Sequence, residues 1–397
     1  MNVLSDRIIN LTESATLRMA ALARELQQKG VNVINLSLGE PDFQTPQHIK
    51  DAAKKAIDDG YTFYTPVSGY LDLRQAICAK FKRENGLDYT PEQIVVSTGA
   101  KQSIINVVLC MVNPGDEVIL PAPYWVSYAA MVELAEGKVV ELPTGIEKNF
   151  KMTAQQLEAA ITPKSKLIIF SSPSNPTGMV YTKDELHDIA KVIAAHPNLY
   201  IVSDEIYEHI NYSGKHESIA QFDFVKDRVI TVNGLSKGFA MTGWRLGYIG
   251  APVAVAKACD KMQGQFTSGT CSITQRAAIA ALNESLAPTI EMREAFHRRR
   301  DLVLSLLADI PGIKGYTPEG AFYVFSDMSS FIGKTDGTTT IKDIDDLSMY
   351  ILDKAYISTV AGSQFGDDQC IRMSYATSED KLIEAGKRLK EALAQLK

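Results

Sequence analysis

Between Ile94 and Ile249 the chain alternates short apolar runs of strand length with longer segments of helical spacing. Ile94 to Val96 precedes Lys101 to Met111. Glu117 to Leu120 precedes Trp125 to Leu134, and Lys138 to Leu142 follows. Leu167 to Ser171 precedes Lys183 to Ala195. Leu199 to Val202, Val229 to Val232 and Leu246 to Ile249 complete the series. Strands alternating with helices predict an α/β fold with a mostly parallel sheet covered on both faces.

The flanks read differently. Residues 15–29 carry Leu17, Ala20, Ala21, Ala23 and Leu26 at helical spacing and stop near Gly30. Val31 to Leu38 alternates as a short strand, broken by Gly39-Glu-Pro-Asp-Phe43. His48 to Asp58 and Leu71 to Glu84 are helices, with the loop Tyr61 to Gly69 between them. Residues 252–263 and 271–286 read as helices, and Thr289 to Leu306 as a long one rich in arginine. Beyond it, Ala321 to Phe325, Ile357 to Val360 and Ile371 to Ser374 read as strands of a smaller sheet, with helices at 343–354 and 378–396. A single core stops growing at about 250–300 residues, and this chain has 397. Two domains are therefore expected: a large one at 45–285, and a smaller α+β one joining 1–44 to 286–397.

The net charge of −6, without any basic block, argues against nucleic acid and anionic membranes as partners. Apolar runs such as Leu167 to Phe170 fall far short of the ~18 residues of a membrane helix. Residues 1–14 have no apolar core of signal-peptide type. The five cysteines are scattered and form no C-x-x-C pair, which suits reduced thiols in a cytoplasmic protein and no metal site.

In open parallel sheets, ligands collect at the carboxyl ends of the strands, and several polar signatures fall there. Ser97-Thr-Gly-Ala-Lys101 sits between a strand and a helix, where backbone N–H groups and the helix dipole attract an anion. There is no G-x-G-x-x-G after a strand, so a nicotinamide site has little support. Asn175 stands in Ser171-Ser-Pro-Ser-Asn-Pro-Thr-Gly178, and Asp204 in Ser203-Asp-Glu-Ile-Tyr207. Alone, each has an ordinary explanation: a turn residue for Asn175, a helix cap for Asp204, core aromatics for Tyr124 and Trp125. The longest signature follows Val229 to Val232. It reads Asn-Gly-Leu-Ser-Lys-Gly-Phe-Ala-Met-Thr-Gly-Trp-Arg245, with Lys237 at a strand end among small and apolar neighbours. Desolvation lowers an amine's pKa and makes it a nucleophile toward a carbonyl.

Together these stretches resemble the class I pyridoxal-phosphate aminotransferases, whose lysine segment reads Ser-Lys-x-Phe-Ala-Met-Thr-Gly-Trp-Arg-x-Gly. The likeness runs from Ser14 to Ser374. It implies fold type I of the pyridoxal-phosphate transferases and a set of roles. Gly99, Ala100 and Lys101 by their backbone, with Ser236 and Arg245, would hold the phosphate. Trp125 would stack on the coenzyme ring and Asp204 would pair with its nitrogen. Asn175 and Tyr207 would bind its phenolic oxygen, and Lys237 would carry the coenzyme. Tyr64 would reach the phosphate of the neighbouring subunit, making a homodimer part of the site. Arg372, in Cys370-Ile-Arg-Met-Ser-Tyr375, would fork onto the substrate α-carboxylate, with the Gly39 N–H beside it. Trp125 and Asn175 would also border the substrate.

Animal-type aspartate aminotransferases read the side-chain carboxylate with an arginine of the other subunit, but Gln263 to Thr270 holds none here. The bacterial branch instead carries a lysine just after the phosphate-binding glycine and a Ser-Ala-Thr near the N-terminus. Here those are Lys101 and Ser14-Ala-Thr16. The resemblance therefore implies a bacterial-branch aspartate aminotransferase, working on amino acids and 2-oxo acids, with Lys101 and Ser14 or Thr16 reading a dicarboxylic substrate. A lone lysine discriminates less than an arginine fork, so prephenate, aromatic or broad specificity is the alternative. A pyridoxal-phosphate lyase is a further rival. A transcription-factor sensing module is another, and it would need a DNA-binding segment ahead of the domain.

Overall fold

The structure, a computed structural model, describes residues 3–11 and 15–397. Seven strands form the central sheet, in the spatial order Ile94–Ser97, Gly247–Gly250, Val229–Gly234, Tyr200–Asp204, Ser165–Ser171, Glu117–Ala122 and Lys138–Pro143. All neighbours run parallel except Gly247–Gly250, which is antiparallel to both strands beside it. The exception has a simple cause. A parallel return needs a crossover, usually a helix. The stretch from Leu235 to Leu246 holds only the short 3-10 turn Thr242–Trp244, so the chain comes back antiparallel. Successive strand residues feed opposite faces. Val96, Ile119, Ile168 and Ile201 pack under one helical layer, and Val95, Val118, Ile169 and Val202 under the other.

Farther along, Cys370–Ser374 pairs antiparallel with Tyr323–Asp327 and Val360–Ala361, while Ile34–Asn35 pairs parallel with Ile357–Ser358. Helices Ala287–Ala308, Ile344–Ala355 and Glu379–Leu393 cover these strands. Phe296, Tyr323, Leu347, Ile371 and Leu389 form their core, which takes in Ile34 and Leu36 from the N-terminal segment. On that packing we propose the division into 45–285 and 1–44 with 286–397. Ile206, Tyr207 and Ile210 of the larger part pack into the second core, so the two parts meet behind the carboxyl ends of the central strands.

Several segments differ from their sequence reading, among them Ile357 to Val360, which is split between two sheets as Ile357–Ser358 and Val360–Ala361. Only Ile34–Asn35 of Val31 to Leu38 pairs as a strand. Its continuation is held by single contacts: Leu36 N–H donates to the Ser358 carbonyl, and Ser374 N–H to the Leu36 carbonyl. The helix expected over Leu71 to Glu84 is α-helical to Lys80 and continues as a π turn, Phe81–Asn85. That turn brings Asn85 to the buried Lys80, whose Nζ donates to Asn85 Oδ1 at 2.8 Å and pairs with Glu208. An unforeseen helix, Ala154–Ala160, starts with a capping box between Thr153 and Gln156. No helix among the described residues is long and apolar enough to cross a membrane.

Candidate active site

Ser165–Ser171 and Tyr200–Asp204 end level, because Ser171 pairs with Asp204, and Val229–Gly234 runs on past Val232, the partner of Asp204. The segments that leave these strands therefore converge at one edge, and a cavity of about 470 Å³ opens there.

Lys237 enters it from the turn after Val229–Gly234. Its Nζ donates to the Gly39 carbonyl, with the rings of Tyr207 and Phe322 at 5.8 and 6.0 Å. Burial pulls its pKa down to about 8. Glu40 opposes that, and the Arg372 and Arg245 guanidinium groups add to it. The amine thus loses its proton far more readily near physiological pH than an ordinary lysine, as a nucleophile or base requires.

Asp204 is 4% exposed at its strand end. Its Oδ1 accepts from the Ile206 N–H at 3.2 Å, so the carboxylate closes a local turn and caps no helix. Its Oδ2 accepts from the Tyr128 hydroxyl at 2.7 Å. Burial pushes this carboxyl up to about 6, the two hydrogen bonds pull it down, and Glu205 beside it pushes up again.

The anion-facing corner is built on Gly99, the N-cap of helix Ala100–Met111, at φ 87°. A side chain there would be strained, and its Cβ would lie 2.5 Å from Arg245 Nη2. Glycine thus lets the guanidinium lie against the helix start. The first-turn N–H groups of Ala100 and Lys101 have no intrahelical acceptor. Ser236 and Arg245 line the same corner. Lys101 Nζ lies 4.9 Å from the centre of the Trp125 ring, and desolvation first, then Arg245, lowers its pKa.

Arg372 also lines the cavity, buried between the rings of Tyr323 and Phe365, at 4.7 and 5.0 Å. Its Nη1 donates to Asn175 Oδ1 at 2.9 Å and its Nη2 to the Ser37 carbonyl at 2.5 Å. Its Nε is buried without a partner. Tyr207 and Tyr323 share a hydroxyl–hydroxyl contact of 2.8 Å. Gly39 turns its carbonyl to Lys237, and a side chain there would strike the Tyr323 hydroxyl.

Thr16 also lines the cavity, from the first turn of Ala15–Gln28. Ser14 lies outside the described residues. Tyr64 stands apart, 96% exposed on the Tyr61–Gly69 loop and absent from the lining of its own chain's cavity. Gln263, in the segment without arginine, is buried and structural: its Nε2 donates to the Val67 and Val96 carbonyls. The sequence reading missed Tyr128, Ser171, Tyr323 and Glu40. Tyr128 follows Trp125 by three residues, so the two share a helical face, which is the one signal that points to it. Tyr323 reaches the site only through strand pairing with the Arg372 strand.

Residues 31–389 match the family model for aminotransferase class I and II. The chain belongs to that family. Among aminotransferases of known name, the bifunctional aspartate aminotransferase and glutamate/aspartate-prephenate aminotransferase of Petunia hybrida is 50% identical over 399 residues, covering 99% of this chain and 83% of that one. The aspartate/prephenate aminotransferase of Cereibacter sphaeroides is 47% identical, with both chains covered completely. Among solved structures, the aspartate aminotransferase from Rhizobium meliloti superimposes with a TM-score of 0.97 at 42% identity, both chains covered completely. The enzyme from Thermus thermophilus with maleate gives 0.93 at 42%, covering 99% of this chain and 100% of that one. This aminotransferase is a pyridoxal-phosphate-dependent transaminase of fold type I, as the lysine segment led one to expect. The residues at the cavity fit that coenzyme. There is an amine poised to capture an aldehyde, a carboxylate for a protonated ring nitrogen, and a helix start with a guanidinium for a phosphate.

Proposed function

We propose that this aminotransferase moves the amino group of L-aspartate to 2-oxoglutarate, yielding oxaloacetate and L-glutamate. The observation that carries the reading is that two cationic side chains line one cavity. Arg372 has a buried Nε without a partner, and Lys101 lies over Trp125. Two separate cations suit a substrate with two carboxylates. Arg372, with the Gly39 backbone beside it, orients the α-carboxylate. Lys101 takes the side-chain carboxylate, and Thr16 and Ser14 are its proposed helpers.

Bound pyridoxal phosphate supplies an electron sink for the bond broken at the α-carbon. The remaining work belongs to the chain. Asp204 would keep the ring nitrogen protonated. Asn175 and Tyr207 would hold the phenolic oxygen, and Trp125 would cover the ring. Gly99, Ala100, Lys101, Ser236 and Arg245 would anchor the phosphate. Lys237 would carry the coenzyme at rest and, as general base and acid, would move the proton between the substrate α-carbon and the coenzyme.

We read the active form as a cytoplasmic homodimer. The exposure of Tyr64 supports a role toward a neighbouring subunit's phosphate, and the five cysteines being free thiols supports a reducing compartment. Sedimentation of the active enzyme at the mass of one chain would remove Tyr64 from the site. A second reading, prephenate as amino acceptor, draws on the names of the Petunia and Cereibacter relatives and on Leu17 and Leu38 at the cavity rim.

The test is Lys101→Ala at saturating pyridoxal phosphate, so that its backbone role in the phosphate corner does not confuse the result. A charge-assisted contact contributes about 1.5–3 kcal/mol. Aspartate and glutamate should therefore lose roughly tenfold or more in kcat/KM, while phenylalanine loses little. Equal losses would make Lys101 a support of the phosphate corner and shift the reading to an aromatic or broad aminotransferase.

A further inference from the structure

Asp204 has one protein donor on each oxygen. The Ile206 N–H is its own turn and comes with the strand end. The Tyr128 hydroxyl comes from another element, helix Ser127–Leu134, and is the shorter contact at 2.7 Å. Tyr128 is 1% exposed. Its ring meets the Trp125 ring edge-on, with centroids 5.4 Å apart and planes at 89°. Burial pushes this phenol well above its ordinary range, and the Asp204 charge adds to that, so it stays a neutral donor. Its single proton goes to Asp204. Ser171 is the register partner of Asp204 on the next strand.

The groups facing Asp204 pull in different directions. Glu205 beside it opposes ionisation, Lys237 favours it, and Tyr207 is a neutral phenol close by. Lys237 itself titrates near 8, so its help varies with pH. Tyr128 is the side-chain partner whose contribution, like that of the Ile206 N–H, does not change across the working range.

We propose that Tyr128 is a positioning residue of the coenzyme site, holding the Asp204 carboxylate ionised and turned to the cavity. This rests on the reading that Asp204 faces the ring nitrogen. One neutral hydroxyl on a buried carboxylate lowers its pKa by about one unit. Without it, Asp204 carries its proton through a wider stretch of acid pH and meets a cationic ring less often.

The test is Tyr128→Phe, which keeps the ring against Trp125, with Ser171→Ala, the register neighbour, as a control that leaves the phenol in place. In the coenzyme-free protein, the carboxyl infrared band lost in Asp204→Asn is titrated. Its midpoint should rise by about one pH unit in Tyr128→Phe and stay in place in Ser171→Ala. Pyridoxal phosphate, added back and followed by fluorescence quenching, should bind about fivefold more weakly at pH 6, and the gap should close by pH 8.5. An unshifted midpoint in Tyr128→Phe overturns the role of Tyr128 and leaves the site reading standing. A shifted midpoint with unchanged coenzyme affinity at every pH overturns the placement of Asp204 at the ring, and the positioning role with it.

Discussion

Lys237→Ala keeps the fold and loses transamination by at least about 10²–10⁴-fold, the share that general acid–base catalysis alone supplies. The loss of coenzyme capture comes on top of that. The fold survives because the side chain has one polar partner, the Gly39 carbonyl, and sits desolvated among aromatic rings. Burial disfavours the charged amine there, so removing it costs the coenzyme-free protein little stability. The wild-type protein carries the matching pH signature. Only the neutral amine attacks a carbonyl, so capture of pyridoxal phosphate by the coenzyme-free form rises with pH and levels off above about 8. Circular dichroism, melting and stopped-flow absorbance check the three parts. Near-wild-type turnover by pure Lys237→Ala protein would end the assignment.

Arg372→Ala should cripple every substrate alike. Two charge-assisted hydrogen bonds to the α-carboxylate contribute together about 3–6 kcal/mol, so kcat/KM falls roughly 10²–10⁴-fold for aspartate and for phenylalanine. The pattern contrasts with Lys101→Ala, where only the dicarboxylic substrates suffer. Arg372 is packed between two aromatic rings, so its truncation also opens a hole. Arg372→Lys guards against that: it keeps a charge and most of the volume but not the planar fork. It should retain the melting temperature better than Arg372→Ala while still losing activity on both substrates. Full kcat/KM in Arg372→Lys would move the α-carboxylate to another group.

The alternation from Ile94 to Ile249 was enough to foresee a mostly parallel sheet, because chain-local periodicity and a crossover length decide it. The one reversed strand was not foreseen, since it depends on whether the Ser236–Arg245 turn leaves room for a crossover helix. Val31 to Leu38 shows the limit of alternation as a signal. Two of its residues found a strand partner, and that partner lies more than three hundred residues away.

The residues with a reactive or charged end were legible through resemblance: Lys237, Asp204, Asn175, Arg245 and Arg372 sit in stretches that, taken together, resemble the class I aminotransferases. What the sequence by itself determined is therefore the set of chemical groups and the strand ends that present them. The tertiary structure decided their environment. Strand register brought Ser171 level with Asp204, the antiparallel partner of the Arg372 strand delivered Tyr323, and helix packing set the Tyr128 hydroxyl on Asp204. Burial and neighbouring charge then placed Lys237 near 8 and Asp204 near 6. Residue type tells which proton a group can hold. How tightly it holds it depends on the water excluded around it and the partners folded against it, and both arise only when distant segments meet.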